Sequence, residues 1–503
     1  MAISEENRDS SGLCIDGDTL RELVSGFTVV EPSNATPDSS LDELGLDSIA
    51  AVQLATKLLT QFEFLIHPDE LFGISFATLA KHIQRSLPVS TESRSAALNN
   101  MIVLSVESTT PPLESGNQAP CLSTSSLPLN SSFNLLDTLA KSNAVYEAAA
   151  QRSGFANYWS TVSPVQDDLF LSYINEAFIT LGVNLSEQPQ GVEIPTVACI
   201  PKHNRVVKRL LDFLETRYIV KICSGKVLRG SDRIEVDASL RLCERLQNDH
   251  PSFRCETQLM SLIGPRLAEC LSGKLDPLSV LFGSAESRRI MDDFYHDAPI
   301  MAAHTEQLVS FFVSLAKSLL ANSQKPIRIL EIGAGTGGTT APLTAALKDA
   351  KVSVEYTVTD IGASFVSKAR ARWGSIEWID FVVLDIEEEM PEGFRGKYDI
   401  VVGTNVVHAT TDRTATCRRL RDALGPGGVL VLSELTRPIN WYDMCFGLLD
   451  GWWLADGGNG YAIQPASVWM EAFEKAGFTT MGHSNGKTEE ANTQQLLVAC
   501  VEH

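Results

Sequence analysis

Positive charge is scarce in this 503-residue chain: 41 Lys and Arg stand against 62 Asp and Glu, a formal net charge of −21. An acidic surface repels nucleic-acid phosphates and anionic lipid, so neither is expected as a partner, whereas a protein with a basic docking face suits it. Long apolar runs are missing too. The most apolar-leaning stretch, 308–321, is broken by Ser314, Lys317 and Ser318, short of the ~18 uninterrupted residues a membrane helix needs. Met1–Gly12 is polar and acidic, so no secretory leader is predicted. The ten cysteines include no CxxC pair, and the closest two, Cys243 and Cys255, lack metal-ligand spacing. They read as free thiols in a reducing, cytoplasmic setting, with no metal expected.

What is present falls into segments. A small all-α unit is predicted over 13–87: Asp18–Phe27 has helical spacing, Pro32 and Pro37 mark a loop, and a capped helix runs from Ser48 to about Gln61. Residues 88–132 shift to Ser, Thr, Pro and Asn, as in STTPPLESGN, and read as a flexible linker. From 133 to 321 helix formers dominate, punctuated by Pro164, Pro195, Pro251, Pro265 and Pro299. Between 322 and 503 strand-like runs (IRILEIG, VEYTVTD, FVVLD, YDIVVGT, GVLVLSEL) alternate with helical ones. That alternation predicts an α/β, Rossmann-like domain with a mainly parallel sheet.

Three constellations carry chemistry. In Leu44-Gly45-Leu46-Asp47-Ser48, the serine stands where a loop becomes a helix. It suits an N-cap, and equally an attachment point whose phosphate lies against the helix dipole. Second, Glu331-Ile332-Gly333-Ala334-Gly335-Thr336-Gly337-Gly338 follows the first strand of the α/β domain. Gly333, Gly335 and Gly338 satisfy the dinucleotide pattern GxGxxG. The acidic Glu331 before them gives the form E-x-G-x-G-x-G. Asp360 and Asp385 close the second and third strands, either as turn residues or as ligand contacts. Third, Asn405 and His408 follow the fourth strand, and Glu434 ends the fifth. Adjacent strand ends place His408 and Glu434 within hydrogen-bond reach at the ligand-binding edge, where a carboxylate fixes the tautomer of an imidazole base.

Residues from about Leu20 to Leu87 resemble an acyl carrier protein, which implies 4′-phosphopantetheine on Ser48. EIGAGTGGTT resembles the first motif of class I methyltransferases, which implies S-adenosylmethionine held by Glu331, Gly333, Gly335, Gly337, Asp360, Asp385, Ile386 and Asn405. With NVVHAT, LSELT, Asn157-Tyr158-Trp159, Pro164-Val165-Gln166 and Phe294-Tyr295-His296-Asp297-Ala298-Pro299 added, most of the chain is similar to the carrier and C-methyltransferase segment of fungal non-reducing polyketide synthases. That resemblance implies a helical lid over 133–321, with His408 as base, Glu434 as its partner and Tyr295 lining the substrate side. Neighbouring His296 is an alternative to Tyr295. It further implies C-methylation of a β-keto polyketide thioester, in secondary-metabolite biosynthesis, with other synthase domains and a phosphopantetheinyl transferase as partners. Trp452 and Trp453 are candidate walls for the acyl chain. No ketosynthase, acyltransferase, product-template or thioesterase region is recognised, so the chain is expected to be a segment of a larger synthase or a protein acting on chains built elsewhere. Rival readings are an O-methyltransferase acting on a diffusible phenol, an idle docking module, and nicotinamide-dependent reduction.

Overall fold

The computed structural model describes residues 134–501 except 236–237, 322–324 and 456–459, together with isolated positions between 20 and 83. Ser48 and the whole of 88–132 lie outside the described residues. The chain forms two compact units, the smaller built mainly on residues before 126 and the larger on those after it.

In the smaller unit, Leu20, Val24, Leu41, Leu46, Ala51, Leu54, Leu58, Phe64, Leu71, Leu79 and Ile83 form one buried cluster. Ala51, Leu54 and Leu58 recur at three- and four-residue spacing, the pattern of a helix with one face turned inward. Leu46 and Ala51, on either side of Ser48 in sequence, are both buried.

The larger unit is organised by a seven-stranded sheet. Its strands are β1 (Ile327–Ile332), β2 (Val354–Asp360), β3 (Ile379–Val383), β4 (Tyr398–Thr404), β5 (Leu424–Leu435), β6 (Thr480–His483) and β7 (Gln494–Cys500). The order across the sheet is β3-β2-β1-β4-β5-β7-β6. Strands β1 to β5 pair in parallel, while β7 is antiparallel to both β5 and β6. The expected parallel α/β sheet is thus present, with a reversed pair at one edge. Side chains alternate between its two faces with the period of two that a pleated strand imposes. Ile329, Val429, Val431, Leu496 and Val498 face one core, and Leu330, Leu430, Leu432, Leu497 and Ala499 the other.

The helices of the larger unit include α1 (Leu135–Ser153), α2 (Ser163–Thr180), α3 (Asn204–Thr216), α4 (Ala285–Asp297), α5 (Pro299–Ala321), α6 (Thr340–Asp349), α7 (Arg413–Ala423) and α8 (Ala466–Ala476). The cores interleave along the chain. Leu135 and Leu139 of α1, and Leu308, Phe311, Phe312 and Leu315 of α5, pack on the sheet. Earlier in α5, Ile300, Met301 and Ala303 belong to the helical core, which also takes in residues from Leu435 to Ile463. One apolar helix therefore runs from one core into the other, and Arg152 of α1 is ion-paired with Glu306 on it.

Two local features depart from expectation. The otherwise helical stretch contains a hairpin, Val220–Cys223 with Lys226–Arg229. Its turn residues, Ser224 (φ 51°) and Gly225 (φ 78°), supply the positive φ values that a tight hairpin needs. Among the described cysteines, Cys255, Cys270, Cys417, Cys445 and Cys500 are buried thiols, but Cys223 on that hairpin is exposed. No described helix is long and apolar enough to cross a membrane.

Because Phe312 is completely buried between α5 and the sheet, Phe312→Ala is expected to cost the larger unit about 3–5 kcal/mol in urea unfolding. A loss below ~1 kcal/mol would show that α5 is not seated there.

Candidate active site

Strand β1 delivers the chain into the glycine loop with Gly333 (φ 60°), Gly335 (φ 53°) and Gly337 (φ 87°) all in the left-handed region. Two of them are also pressed against neighbours: an added Cβ would come within 2.3 Å of Val406 at Gly333 and 2.2 Å of Trp373 at Gly337. At Gly335 the same position meets nothing within 4 Å, so the loop is tight behind and open in front. The Gly335 N–H donates to Asp360 Oδ2 at 2.9 Å, and Ala334 N–H to the Thr359 carbonyl at 2.9 Å. The end of β2 is thereby tied to the loop.

Glu331 lies beneath this loop and not on its open side. Its side chain is 1% exposed, and its carboxylate accepts from Thr340 Oγ1 and from the Tyr356 hydroxyl, each at 3.0 Å. Its side chain braces β1, β2 and α6 together. Burial raises its pKa to about 7, against the lowering effect of the two hydroxyls.

Asp385 accepts from the Glu387 N–H at 2.8 Å in a local turn. Leu384 N–H donates to the Asp360 carbonyl at 3.0 Å, bringing the two strand ends side by side. Ile386 turns into the core beside Ile332 and Met390. Two residues without a prior assignment stand out here. Ile361 is 67% exposed, and Val383, paired in register with Asp360, is 51% exposed. Apolar side chains left uncovered at a carboxyl strand edge are the signal that a sequence cannot give, since hydrophobicity alone reads as core.

Register carries the third constellation. Thr404 pairs with Ser433 across β4 and β5, so the residues that follow, Asn405 and Glu434, face one another. Glu434 has no solvent exposure. Its Oε1 accepts from the N–H groups of Val406 (3.0 Å) and Val407 (2.9 Å), and its Oε2 is 2.7 Å from His408 Nδ1. A carboxylate only accepts, so Nδ1 carries the proton. His408 itself is 14% exposed. The dyad expected from sequence is brought together.

Asn405 has φ 50°, and its amide spans the strand ends: Oδ1 accepts from Leu435 N–H (3.2 Å), while Nδ2 approaches Gln494 Oε1 (3.4 Å).

Tyr295 is 38% exposed on α4, and its carbonyl lies 3.5 Å from where a Gly338 Cβ would stand. Helix α4 thus reaches the glycine loop. His296 instead hydrogen-bonds the Asp292 carbonyl at 2.9 Å on its own helix. Of the two tryptophans, Trp452 is buried, edge-on to the His408 ring with centroids 6.2 Å apart, and Trp453 donates to the Gly447 carbonyl at 2.7 Å. The motif around Asn157 locks the helical region. Tyr158 OH and Trp441 Nε1 both donate to Gln166 Oε1 (2.8 and 3.1 Å), and Trp159 Nε1 donates to Thr493 (3.1 Å). Neither a group of metal-binding side chains nor a disulfide occurs among the described residues.

Three family profiles match the chain: a phosphopantetheine attachment site over 18–89, a methyltransferase helix-turn-helix domain over 140–227 and a methyltransferase domain over 330–430. The non-reducing polyketide synthase atr1 of Stereocaulon alpinum is 35% identical over 95% of this chain and 20% of its own length. The citrinin polyketide synthase of Monascus ruber is 31% identical over 95% of this chain and 19% of its own. The chain thus spans about a fifth of the curated relatives it matches. Among solved structures, the CMeT domain of the citrinin polyketide synthase superposes with TM-score 0.71 at 32% identity, covering 76% of this chain and all of that one. The CurJ carbon methyltransferase shares the fold, with TM-score 0.61 at 24% identity. The methyltransferase and attachment-site profiles imply S-adenosylmethionine and 4′-phosphopantetheine as cofactors. The open face at Gly335, the Asp360 carboxylate and the uncovered Ile361 and Val383 fit an adenosyl group.

An acid whose pKa rises on folding holds its proton more tightly in the folded chain. The stability Glu331 contributes is therefore fully present below its ordinary value of 4.5 and is lost as pH climbs through about 7. The unfolding free energy of the wild type relative to Glu331→Gln is expected to fall by roughly 2–3 kcal/mol over that interval and to stay level above it. A difference independent of pH would mean that the buried carboxyl does not titrate there.

Proposed function

Because the chain belongs to the carrier and methyltransferase family of the fungal non-reducing polyketide synthases, and is therefore a methyltransferase, we propose that it methylates the carbon between the two carbonyls of a β-keto polyketide thioester held on phosphopantetheine at Ser48. The observation that carries this reading is the His408–Glu434 pair. Transfer to a phenol or other acidic oxygen needs little general-base help, whereas a carbon acid requires a positioned base. With Nδ1–H directed at Glu434, His408 presents an unprotonated Nε2 to the acceptor carbon. As the proton arrives, the buried carboxylate stabilises the imidazolium that forms.

Gly333, Gly335, Gly337 and Asp360 would hold the donor, with Ile361 and Val383 against its adenine. When bound, S-adenosylmethionine supplies an already activated electrophilic methyl group. The chain's task is then to hold the acceptor carbon near that methyl and to remove one proton, so positioning contributes most of the rate. Helix α4, at the edge of the glycine loop, would keep bulk water from the site and place Tyr295 on the acceptor side. A tethered pantetheine arm raises the effective concentration of acceptor. The partners on this reading are the other domains of a synthase, which supply and consume the thioester, and a phosphopantetheinyl transferase acting on Ser48.

The test is to load the chain with acetoacetyl-pantetheine by a promiscuous transferase, add S-adenosylmethionine, and read intact and pantetheine-ejection masses. Ser48→Ala is expected to take up no pantetheine. His408→Ala is expected to load fully yet gain the extra methylene at least ~100-fold more slowly. Fragmentation that places the methyl on oxygen, or methylation of free acceptor by Ser48→Ala at the wild-type rate, overturns the reading.

A further inference from the structure

His408 is tethered at one point. The Nδ1···Glu434 bond fixes where the ring is held, but a ring held at one atom can still swing about that bond and carry Nε2 with it. The second constraint is the indole of Trp452, which stands at 76° to the imidazole with centroids 6.2 Å apart. Trp452 stacks in turn on Phe446 (5.7 Å, 27°), and Phe446 packs against Phe294 on α4 (5.9 Å).

What holds the indole is a buried ionic cluster absent from every sequence motif above. Asp443 Oδ1 accepts from Trp452 Nε1 (3.2 Å) and from the Tyr461 hydroxyl (2.8 Å), and its Oδ2 accepts from Arg209 Nε (2.9 Å). The Arg209 guanidinium also lies 4.5 Å above the Tyr461 ring. Asp443 is 3% exposed, and burial pushes its carboxyl above the ordinary range against the pull of Arg209. Arg209 and Arg205 project from the same helix, α3, and Arg205 Nη1 donates to the Trp453 carbonyl (3.3 Å). One helix of the helical region therefore grips the turn that carries both tryptophans. A carboxylate used only to stabilise the core would be a poor choice, since replacing a buried ion pair by apolar groups is often neutral or stabilising.

We propose that Asp443 and Trp452 are positioning residues for the base: Asp443, anchored by Arg209, holds the indole of Trp452 against His408, and the indole sets the direction in which Nε2 points. This inference rests on the reading of His408 as the base. It assigns Trp452 to the base instead of to the acyl chain.

The test uses the full, pantetheine-loaded chain, with saturating S-adenosylmethionine and with active sites counted by S-adenosylhomocysteine binding. Trp452→Phe keeps an aromatic ring but removes the N–H that Asp443 accepts. Its kcat per counted site is expected to fall about tenfold, with KM for S-adenosylmethionine unchanged. Asp443→Leu should reproduce Trp452→Phe, and Asp443→Asn, which still offers Oδ1 to the indole but sets an NH2 group against Arg209 Nε, should fall between that variant and the wild type. Counted sites of Trp452→Phe that turn over at the wild-type rate overturn the proposal and leave the cluster a purely structural role. A loss in Trp452→Phe that appears only with longer acyl chains on the pantetheine, and not with acetoacetyl, overturns it in favour of an acyl-chain wall. His408→Ala is run alongside. If that variant is active, the base assignment itself fails, whereas an inactive His408→Ala beside a fully active Trp452→Phe removes only the positioning role.

Discussion

Glu434 ends β5 as a carboxylate with no contact with water, and the site around it follows from how that charge is compensated. An isolated buried carboxylate is costly, and it persists only when hydrogen-bonded and paired. Two of its donors, the N–H groups of Val406 and Val407, belong to the segment leaving β4. The third is the His408 imidazole on that same segment. The requirement that keeps the carboxylate stable therefore fixes the backbone after β4, and with it the imidazole. Parallel pairing of β4 with β5 makes this possible, because only then do both chains leave the sheet at the same edge.

The helical region reaches the same edge by a different route. Helix α5 spans two cores, with Met301 in one and Phe312 in the other. The segment after β5 returns to the helical core through Trp441 and Tyr442. Because the cores share continuous elements, the helical region is held to the sheet by covalent connections and by packing together. Such an arrangement favours a site of fixed geometry, suited to a reaction in which two bound groups must meet at short range. Gln166, accepting from both Tyr158 and Trp441, is one of the joints that set that geometry.

Much of this was legible in the sequence because the α/β part obeys local rules. Strand-like runs marked β1 to β5 along the chain, the glycines marked the loop that follows β1, and strand-end positions brought His408 to Glu434. What escaped depends on distances between residues far apart in the chain. Nothing near Asp443 in sequence points to Arg209, a residue 234 positions earlier that bonds it. Asn405 reads as a strand-end polar residue, and only the cross-strand register shows its amide occupied by Leu435 and Gln494. Ile386 and Ile361 are the same residue type at equivalent strand ends. One packs in a core with Ile332 and Met390 and the other is bare, a distinction set by tertiary packing and not by residue type. The short hairpin at Ser224-Gly225 escaped because two four-residue strands carry too little periodicity to stand out among helices.

Glu331 and Glu434 show how one residue type meets opposite demands at two strand ends. Both are buried, and both hold a loop in place. Glu331 is met by two neutral hydroxyls, from Thr340 and Tyr356, which satisfy its oxygens but bring no positive charge, and burial pushes its carboxyl up to about 7. Glu434 is met by backbone amides and by an imidazole, a partner able to become cationic. The first arrangement braces a loop and has nothing to give to a proton transfer, because its donors cannot change charge near neutral pH. The second couples its electrostatics to the protonation of His408, so that the carboxylate interacts more strongly with the product of proton abstraction than with the resting imidazole. On the proposed reaction this difference is the catalytic contribution of Glu434, since only interactions that strengthen on the way to the transition state accelerate the step.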